Sequence, residues 1–207
     1  MQDHQHIQGA VHVERCEFCM TLHVKKIHYP TESSLLFDGL RRIISLCVAL
    51  ADEHRVNGWR QSQHLLKKVK KLNREINRIA TKKGPRYKER MLPLYRELLG
   101  KTQLITQRAR ELCLVIGQPQ PERNDMFGPN TLQAFILRTE RVADTAKRRV
   151  INRESVPNCD KLFSVFEPHT QLYKRGKAGE PIQFGRQVLV FEDAAGFLVR
   201  AVVERAS

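Results

Sequence analysis

The chain has 207 residues, of which 41% are hydrophobic and 28% are charged, a composition typical of a soluble globular protein with one sizeable core. The longest nearly apolar run, Ile43–Ala51, is far short of the roughly 20 residues that cross a bilayer, and the N-terminal residues lack the pattern of a secretory signal. An odd number of cysteines, five, favours a cytoplasmic protein with reduced thiols, and the net charge of +14 favours a polyanionic partner.

The first half of the chain is predicted to be mainly helical. A strand at Phe18–His28 ends at Pro30, because proline cannot donate a hydrogen bond to a neighbouring strand. Thr31 is a suitable N-cap for an amphipathic helix at Glu32–His54. Further helices are predicted at about Trp59–Thr81, Arg86–Ile116 and Asn130–Arg153, the second of them kinked or divided near Pro93 or Gly100, with a loop at Gly117–Pro129.

After Pro157 the sequence is typical of strands. The candidates are Lys161–Glu167, Thr170–Tyr173, Gln187–Glu192 and Phe197–Glu204, the last two forming a hairpin around a turn at Asp193–Gly196. The order of strand, helical block and strands indicates an α+β fold. We predict an irregular N-terminal segment at residues 1–26 and a domain at residues 27–207, with helices at about 31–155 and strands at about 159–204.

A strongly basic block lies between Arg55 and Arg110. It contains seventeen basic and three acidic residues, a balance of +14 that equals the net charge of the whole chain. A solvated helix surface usually mixes both signs, whereas a block of one sign suits DNA or RNA. We therefore predict a nucleic-acid contact, with a merely solvated surface as the alternative. The helical candidates are Lys67, Lys68, Lys70, Lys71, Arg74, Arg78, Lys82 and Lys83.

Two longer motifs stand outside this block. Ile27–Gly39 reads IHYPTESSLLFDG, and Val165–Gly185 reads VFEPHTQLYKRGKAGEPIQFG. The second motif surrounds two glycines with charged side chains, which is typical of a loop that handles a charged ligand. Its residues of interest are Glu167, His169, Gly176 and Gly179, with Lys174, Arg175 and Lys177 as candidates for contacts with DNA phosphates. The alternative is a structural turn with a hydrogen-bonded histidine.

Taken together, the two motifs resemble the insertion-sequence transposases of the DDE class, specifically the ISNCY-type group. That group carries blocks similar to IHYPTDSSLLxDG and FEPHT…KGKAG.P…G, in the same order and at similar separation, and the resemblance covers roughly Ile27 to Glu204. It implies DNA transposition, DNA as partner, Mg²⁺ as cofactor and a homo-oligomer in an intact member. The implied fold is an incomplete RNase H-like mixed sheet interrupted by a basic helical insertion. The first motif's matching residues are His28, Tyr29, Pro30, Thr31 and Asp38.

The catalytic residues of such an enzyme are incomplete in this sequence. Two Asp and one Glu hold the two metal ions in the family, because hard cations bind carboxylate oxygens. The position of the first Asp falls near Cys19, whose thiol cannot bridge Mg²⁺, and the other two carboxylates would follow Ser207. We therefore expect a truncated or degenerate member that binds DNA and cannot cleave it alone. His-Tyr-Pro-Thr also has a structural interpretation as strand end and helix cap, and Asp38 as a partner of Arg41 or Arg42.

Two alternatives come from other classes of protein. One is a non-catalytic nucleic-acid-binding protein that acts through the basic helices at residues 55–110. The other is a small zinc-stabilised regulator, since the spacing of four N-terminal residues is compatible with tetrahedral coordination. These residues are His12, Cys16, Cys19 and His23. A single Cys-x-x-Cys pair is weak evidence for zinc, and the alternative is out-of-frame or degenerate sequence.

Overall fold

The computed structural model describes residues 17–24, 30–117, 128–174, 182–192 and 198–203. The chain divides into two compact units. One comprises Met1–Lys26 with Gln171–Ser207, and the other comprises Ile27–Thr170. The described part of the first is a β-sheet, and the described part of the second is a bundle of four helices followed by an irregular segment.

Helix α1, Glu32–Glu53, lies at the centre of the helical unit and contacts all three other helices. It begins where the sequence predicts, because the extended Thr31 accepts a hydrogen bond from the backbone N–H of Ser34 at 3.2 Å. Its apolar positions recur at helical spacing, and Leu36, Leu40 and Ile43 are each 0% exposed. The core of the unit therefore surrounds α1.

The other helices also agree closely with the predicted ones. They are α2, Ser62–Lys82, α3, Tyr87–Ile116, and α4, Pro129–Ala146, which continues into a π-helical turn at Lys147–Ile151. Helix α3 runs through Pro93 and Gly100 as one continuous helix, so the predicted division is wrong, whereas the alternative of a kink stays a prediction. Pro93 is the seventh residue of the helix and is exposed, so it leaves the Glu89 carbonyl without the N–H donor that residue i+4 ordinarily supplies. Across residues 30–117 and 128–174, no helix combines the length and apolar character that a membrane span needs.

The sheet is built around one long strand. Strand β1, Glu17–Val24, pairs along its whole length with β3, Ile182–Glu192. The other edge of β3 is shared by β2, Gln171–Lys174, which pairs with its first half, and β4, Leu198–Val203, which pairs with its second half. The predicted pairing of β3 and β4 is thus confirmed, whereas their turn at 193–196 lies outside the described residues.

The predicted RNase H-like mixed sheet is wrong. All three pairings between described strands are antiparallel, and helices account for most of the described residues. A mixed sheet requires parallel neighbours joined by crossovers, whereas each pair here is antiparallel.

The predicted strand at Lys161–Glu167 is also wrong. A 3₁₀ turn at Asn158–Asp160 precedes it, and the residues that follow have no regular structure. The carbonyl of Val165 accepts a hydrogen bond from the Arg138 guanidinium of α4 at 3.1 Å. The hydrogen-bond donor to this carbonyl is therefore a helix side chain and not the backbone N–H of a neighbouring strand.

Candidate nucleic-acid interface

Helix α2 has two sharply different faces. Val69, Leu72 and Ile76 are at most 6% exposed and pack into the core. The opposite face carries a stripe of cations, which we call the α2 stripe, within an arc of about 100° at 3.6 residues per turn. The α2 stripe consists of Lys67, Lys70, Lys71, Arg74 and Arg78, all exposed. These side chains line a shallow surface depression together with Glu75, the one acidic residue of α2.

The cations of the α2 stripe have no acidic partners among the residues whose side chains are described. Elsewhere in the bundle, arginines form salt bridges, such as Arg110 with Glu140 at 2.6 Å and Arg149 with Glu32. No such pair involves the α2 stripe, or Lys68, Lys82 or Lys83, within the same described part. Unpaired cations at helical spacing create a positive surface potential that attracts a polyanion.

The basic residues near the end of α3 have partners within the protein. The Arg108 guanidinium lies 5.1 Å from the Trp59 ring centroid and donates to the Gly58 carbonyl. Lys101 pairs with Glu97 one turn away at 3.3 Å. Arg110 pairs with Glu140 of α4 through two hydrogen bonds. The +14 block is therefore divided between cations that are paired within the protein and cations that have no acidic partner among the described side chains.

The two asparagine side chains of α2 are engaged within the protein. Asn77 donates to Asn73 at 3.1 Å and accepts from Ser33 of α1 at 3.3 Å. Ser33 is 0% exposed, so this network lies at the buried contact between α1 and α2. Asparagine and glutamine are the usual readers of adenine edges. These two asparagines are therefore occupied by protein groups, whereas the α2 stripe consists of lysines and arginines, which bind phosphates.

Described residues of the first motif have structural roles. Thr31 caps α1, and Ser33 docks α2 as described above. Asp38 forms a salt bridge with Arg41 at 3.4 Å, the i+3 pair that the sequence suggested. Burial raises the pKa of the Asp38 carboxyl, although the nearby Arg41 opposes the shift. Pro30 precedes the cap, and His28 and Tyr29 lie outside the described residues.

The second motif is divided between the two units. Glu167 and His169 are exposed in the irregular segment of the helical unit, where the Thr170 N–H donates to the Glu167 carbonyl at 3.0 Å. Lys174 is the exposed last residue of β2 in the sheet unit. Arg175, Gly176, Lys177 and Gly179 lie outside the described residues. The predicted phosphate-binding loop therefore stays a prediction.

The metal sites considered from the sequence receive no geometric support. Among the residues whose side chains are described, no group of three or more His, Cys, Asp or Glu could hold an ion. His12 and Cys16 lie outside the described residues, and the side chains of Cys19 and His23 on β1 are not among those described, so the zinc alternative stays a prediction. Buried Cys47 and Cys113 are poor ligands, because burial raises the pKa of each thiol.

Comparison with known proteins finds no matching family model, no matching curated protein and no matching solved structure. The transposase resemblance therefore rests on the two motifs alone.

Sequence reasoning missed three cations between α2 and the first turn of α3, namely Arg86, Lys88 and Arg90. All three are exposed and extend the positive surface beyond Lys83. Their position after the Gly84–Pro85 break was a signal that could have placed them at a helix–helix turn.

Proposed function

We propose that this chain binds the phosphate backbone of duplex DNA through the α2 stripe. The observation that carries the proposal is the set of five exposed cations on one face of one helix, without acidic partners in the described part of the chain. Lysine and arginine contacts to phosphate supply most of the affinity of sequence-independent DNA binding. We therefore expect the affinity for DNA to fall steeply with salt concentration and to depend little on the DNA sequence.

The length of the α2 stripe suits a nucleic-acid backbone. From Lys67 to Arg78 the helix rises about 16 Å at 1.5 Å per residue. Duplex DNA carries about one negative charge per 1.7 Å of its axis, so a helix surface of this length has several phosphates within reach. A row of five cations over this length therefore suits contacts to several backbone phosphates.

A duplex suits α2 better than a single strand does. Proteins that bind single strands stack bases on exposed aromatic side chains. Helix α2 contains no Phe, Tyr or Trp, and nearby Trp59 is buried beneath Arg108. The similarity of the two motifs to transposases favours DNA over RNA, and RNA duplexes serve as a competitor in the test.

The test compares two variants that lose the same charge. Lys70→Gln with Arg74→Gln removes two cations of the α2 stripe, whereas Lys147→Gln with Arg153→Gln removes two exposed cations elsewhere in the helical unit. Fluorescence anisotropy with a duplex should give a log–log salt slope of about −4 to −5 for the parent chain, and the first variant should flatten it by about 1.8. The second variant should leave it unchanged.

The same measurement can refute the proposal. Equal losses in the two double variants would show that only net charge matters. Stronger binding to an RNA duplex than to DNA of the same sequence would assign the surface to RNA.

Transposition is the second candidate function, and the two sequence motifs favour it. In this proposal the chain supplies DNA binding in the cytoplasm and no cleavage by itself. Strand cleavage needs carboxylates that hold two metal ions, and the family's first Asp is matched near Cys19. Inverted repeats flanking the gene would support a mobile element.

A further inference from the structure

The turn between α2 and α3 carries a second concentration of positive charge, which we call the hairpin tip. It comprises residues 82–90, with Glu89 as its one acid. Its cations are Lys82, Lys83, Arg86, Lys88 and Arg90, all of them exposed. No salt bridge between described side chains reaches any of these five. The hairpin tip thus continues the exposed positive surface of α2 around the turn.

An arginine at position 86 is unfavourable for local stability for two reasons. Its φ of 51° lies in the left-handed region, which disfavours side chains with a Cβ. It is also the N-cap of α3 and makes no side-chain capping bond, although a cation is unfavourable at the positive end of a helix. Residues that break local rules in this manner are expected at functional sites.

The other non-glycine residues with positive φ in the described ranges do not place a cation at a helix N-terminus. Arg55 and Lys83 follow the ends of α1 and α2, and Arg153 follows the π-helical turn after α4. A cation near a helix C-terminus interacts favourably with the helix dipole. Of the positive-φ residues in the described ranges, only Arg86 lies at the start of a helix.

We propose that the hairpin tip is a second phosphate-binding element, with Arg86 as its central contact. This inference rests on the proposed function of the α2 stripe and lengthens the same DNA footprint. From Lys67 to the end of α2 at Lys82 the rise is about 22 Å, so the tip meets phosphates beyond those that the stripe contacts. The planar guanidinium donates two parallel hydrogen bonds to one phosphate.

The test uses a matched pair of substitutions. Arg86→Gly and Arg55→Gly each remove one exposed arginine and relieve one left-handed residue, with φ values of 51° and 55°. They differ in position, at opposite ends of α2. We expect Arg86→Gly to weaken duplex binding severalfold and flatten the salt slope by about 0.9, while Arg55→Gly changes neither. Neither variant should lower the unfolding midpoint.

A second variant separates binding from folding. Arg86→Asn retains a residue that tolerates left-handed backbone better than arginine does, so α3 should be at least as stable as in the parent chain. Its loss of DNA affinity should equal that of Arg86→Gly. Full affinity in both Arg86 variants would overturn the inference.

The outcome for the tip can be distinguished from the outcome for the proposed function. If the Lys70 and Arg74 variant loses binding while Arg86→Gly behaves like Arg55→Gly, the tip inference is wrong and the α2 stripe is retained. If Lys70 and Arg74 can be replaced without effect, the α2 proposal is wrong. Any loss of DNA affinity in the Arg86 variants would then show that DNA binds at an interface that does not include the α2 stripe.

Discussion

Gly39 of the first motif lies on α1 directly against Thr139 of α4. A Cβ on Gly39 would overlap the hydroxyl of Thr139, which is 0% exposed and donates to the Phe135 carbonyl at 2.7 Å. Glycine inside a helix ordinarily lowers stability, so its presence here has a packing reason. Gly100 of α3 is the opposite case, since a Cβ there would meet nothing within 4 Å.

We expect opposite effects from the same substitution at these two glycines. Gly39→Ala should lower the free energy of unfolding by about 1–3 kcal/mol, because it overpacks the helix contact. Gly100→Ala should raise it by about 0.5–1 kcal/mol, because alanine favours an open helix position. Denaturant titration of both variants measures the difference. A Thr139→Ala change should restore part of the loss at Gly39, and effects of equal sign at the two glycines would contradict this account.

Helix α4 holds the irregular segment that follows it through arginine side chains. Arg141 donates to the carbonyls of Cys159 and Asp160 at 2.8 and 3.1 Å. Arg148 forms salt bridges with Glu154 at 3.0 Å and Asp160 at 3.3 Å. These contacts satisfy backbone groups without strand pairing, which explains how the segment is ordered in the absence of a sheet.

The salt bridge of Glu154 makes this segment sensitive to acid. Hydrogen bonds from Asn152 and then from Arg148 lower the pKa of the Glu154 carboxyl. The carboxylate therefore contributes stability above its ordinary pKa of about 4.3, and this contribution is lost as the pH falls through the lower folded value. Glu154→Gln should be less stable than the parent chain near neutral pH, and the difference should shrink toward about pH 3.

Thermal unfolding across this pH range measures the effect, which should be small because the pair is exposed. Glu53→Gln, at the exposed end of α1 and in no salt bridge between described side chains, is the control for the loss of one carboxylate. A Glu154 variant whose deficit is constant from pH 7 to about pH 3 (below the carboxyl range) would exclude the salt bridge as its cause.

At the scale of the molecule, the helical unit contains its own core. The buried residues of α1, α2, α3 and α4 form one cluster that also includes Leu162 and Val165 of the irregular segment. The sheet unit combines an N-terminal strand with three strands from the C-terminal part of the chain. Because the helical unit is continuous in sequence, it can be produced without the sheet.

We expect residues 27–170 to fold alone and to bind DNA. The fragment contains the bundle core, the α2 stripe and the hairpin tip, so circular dichroism should show one cooperative helical transition. Its salt slope should match that of the full chain within about one contact. An unfolded fragment would mean that the bundle depends on the rest of the chain, and a folded fragment without affinity would move the interface to the sheet unit.

The amino-acid sequence by itself determined the helices of this protein and the location of its positive charge. Spacing of apolar residues, the Thr31 cap and the Gly84–Pro85 break act within a few residues, so α1, α2 and α3 could be predicted nearly to their ends. The i+3 pair of Asp38 and Arg41 was predictable for the same reason.

Only the tertiary structure decided which cations are paired within the protein and how the strands pair. Arg108 and Arg110 belong to the same basic block as Lys70, yet Trp59, in the turn before α2, and Glu140 of α4 engage them. The carbonyl of Val165 binds Arg138 of α4 instead of a strand, and β1 pairs with β3 far along the chain. These outcomes depend on partners distant in sequence, whose identity local patterns do not encode.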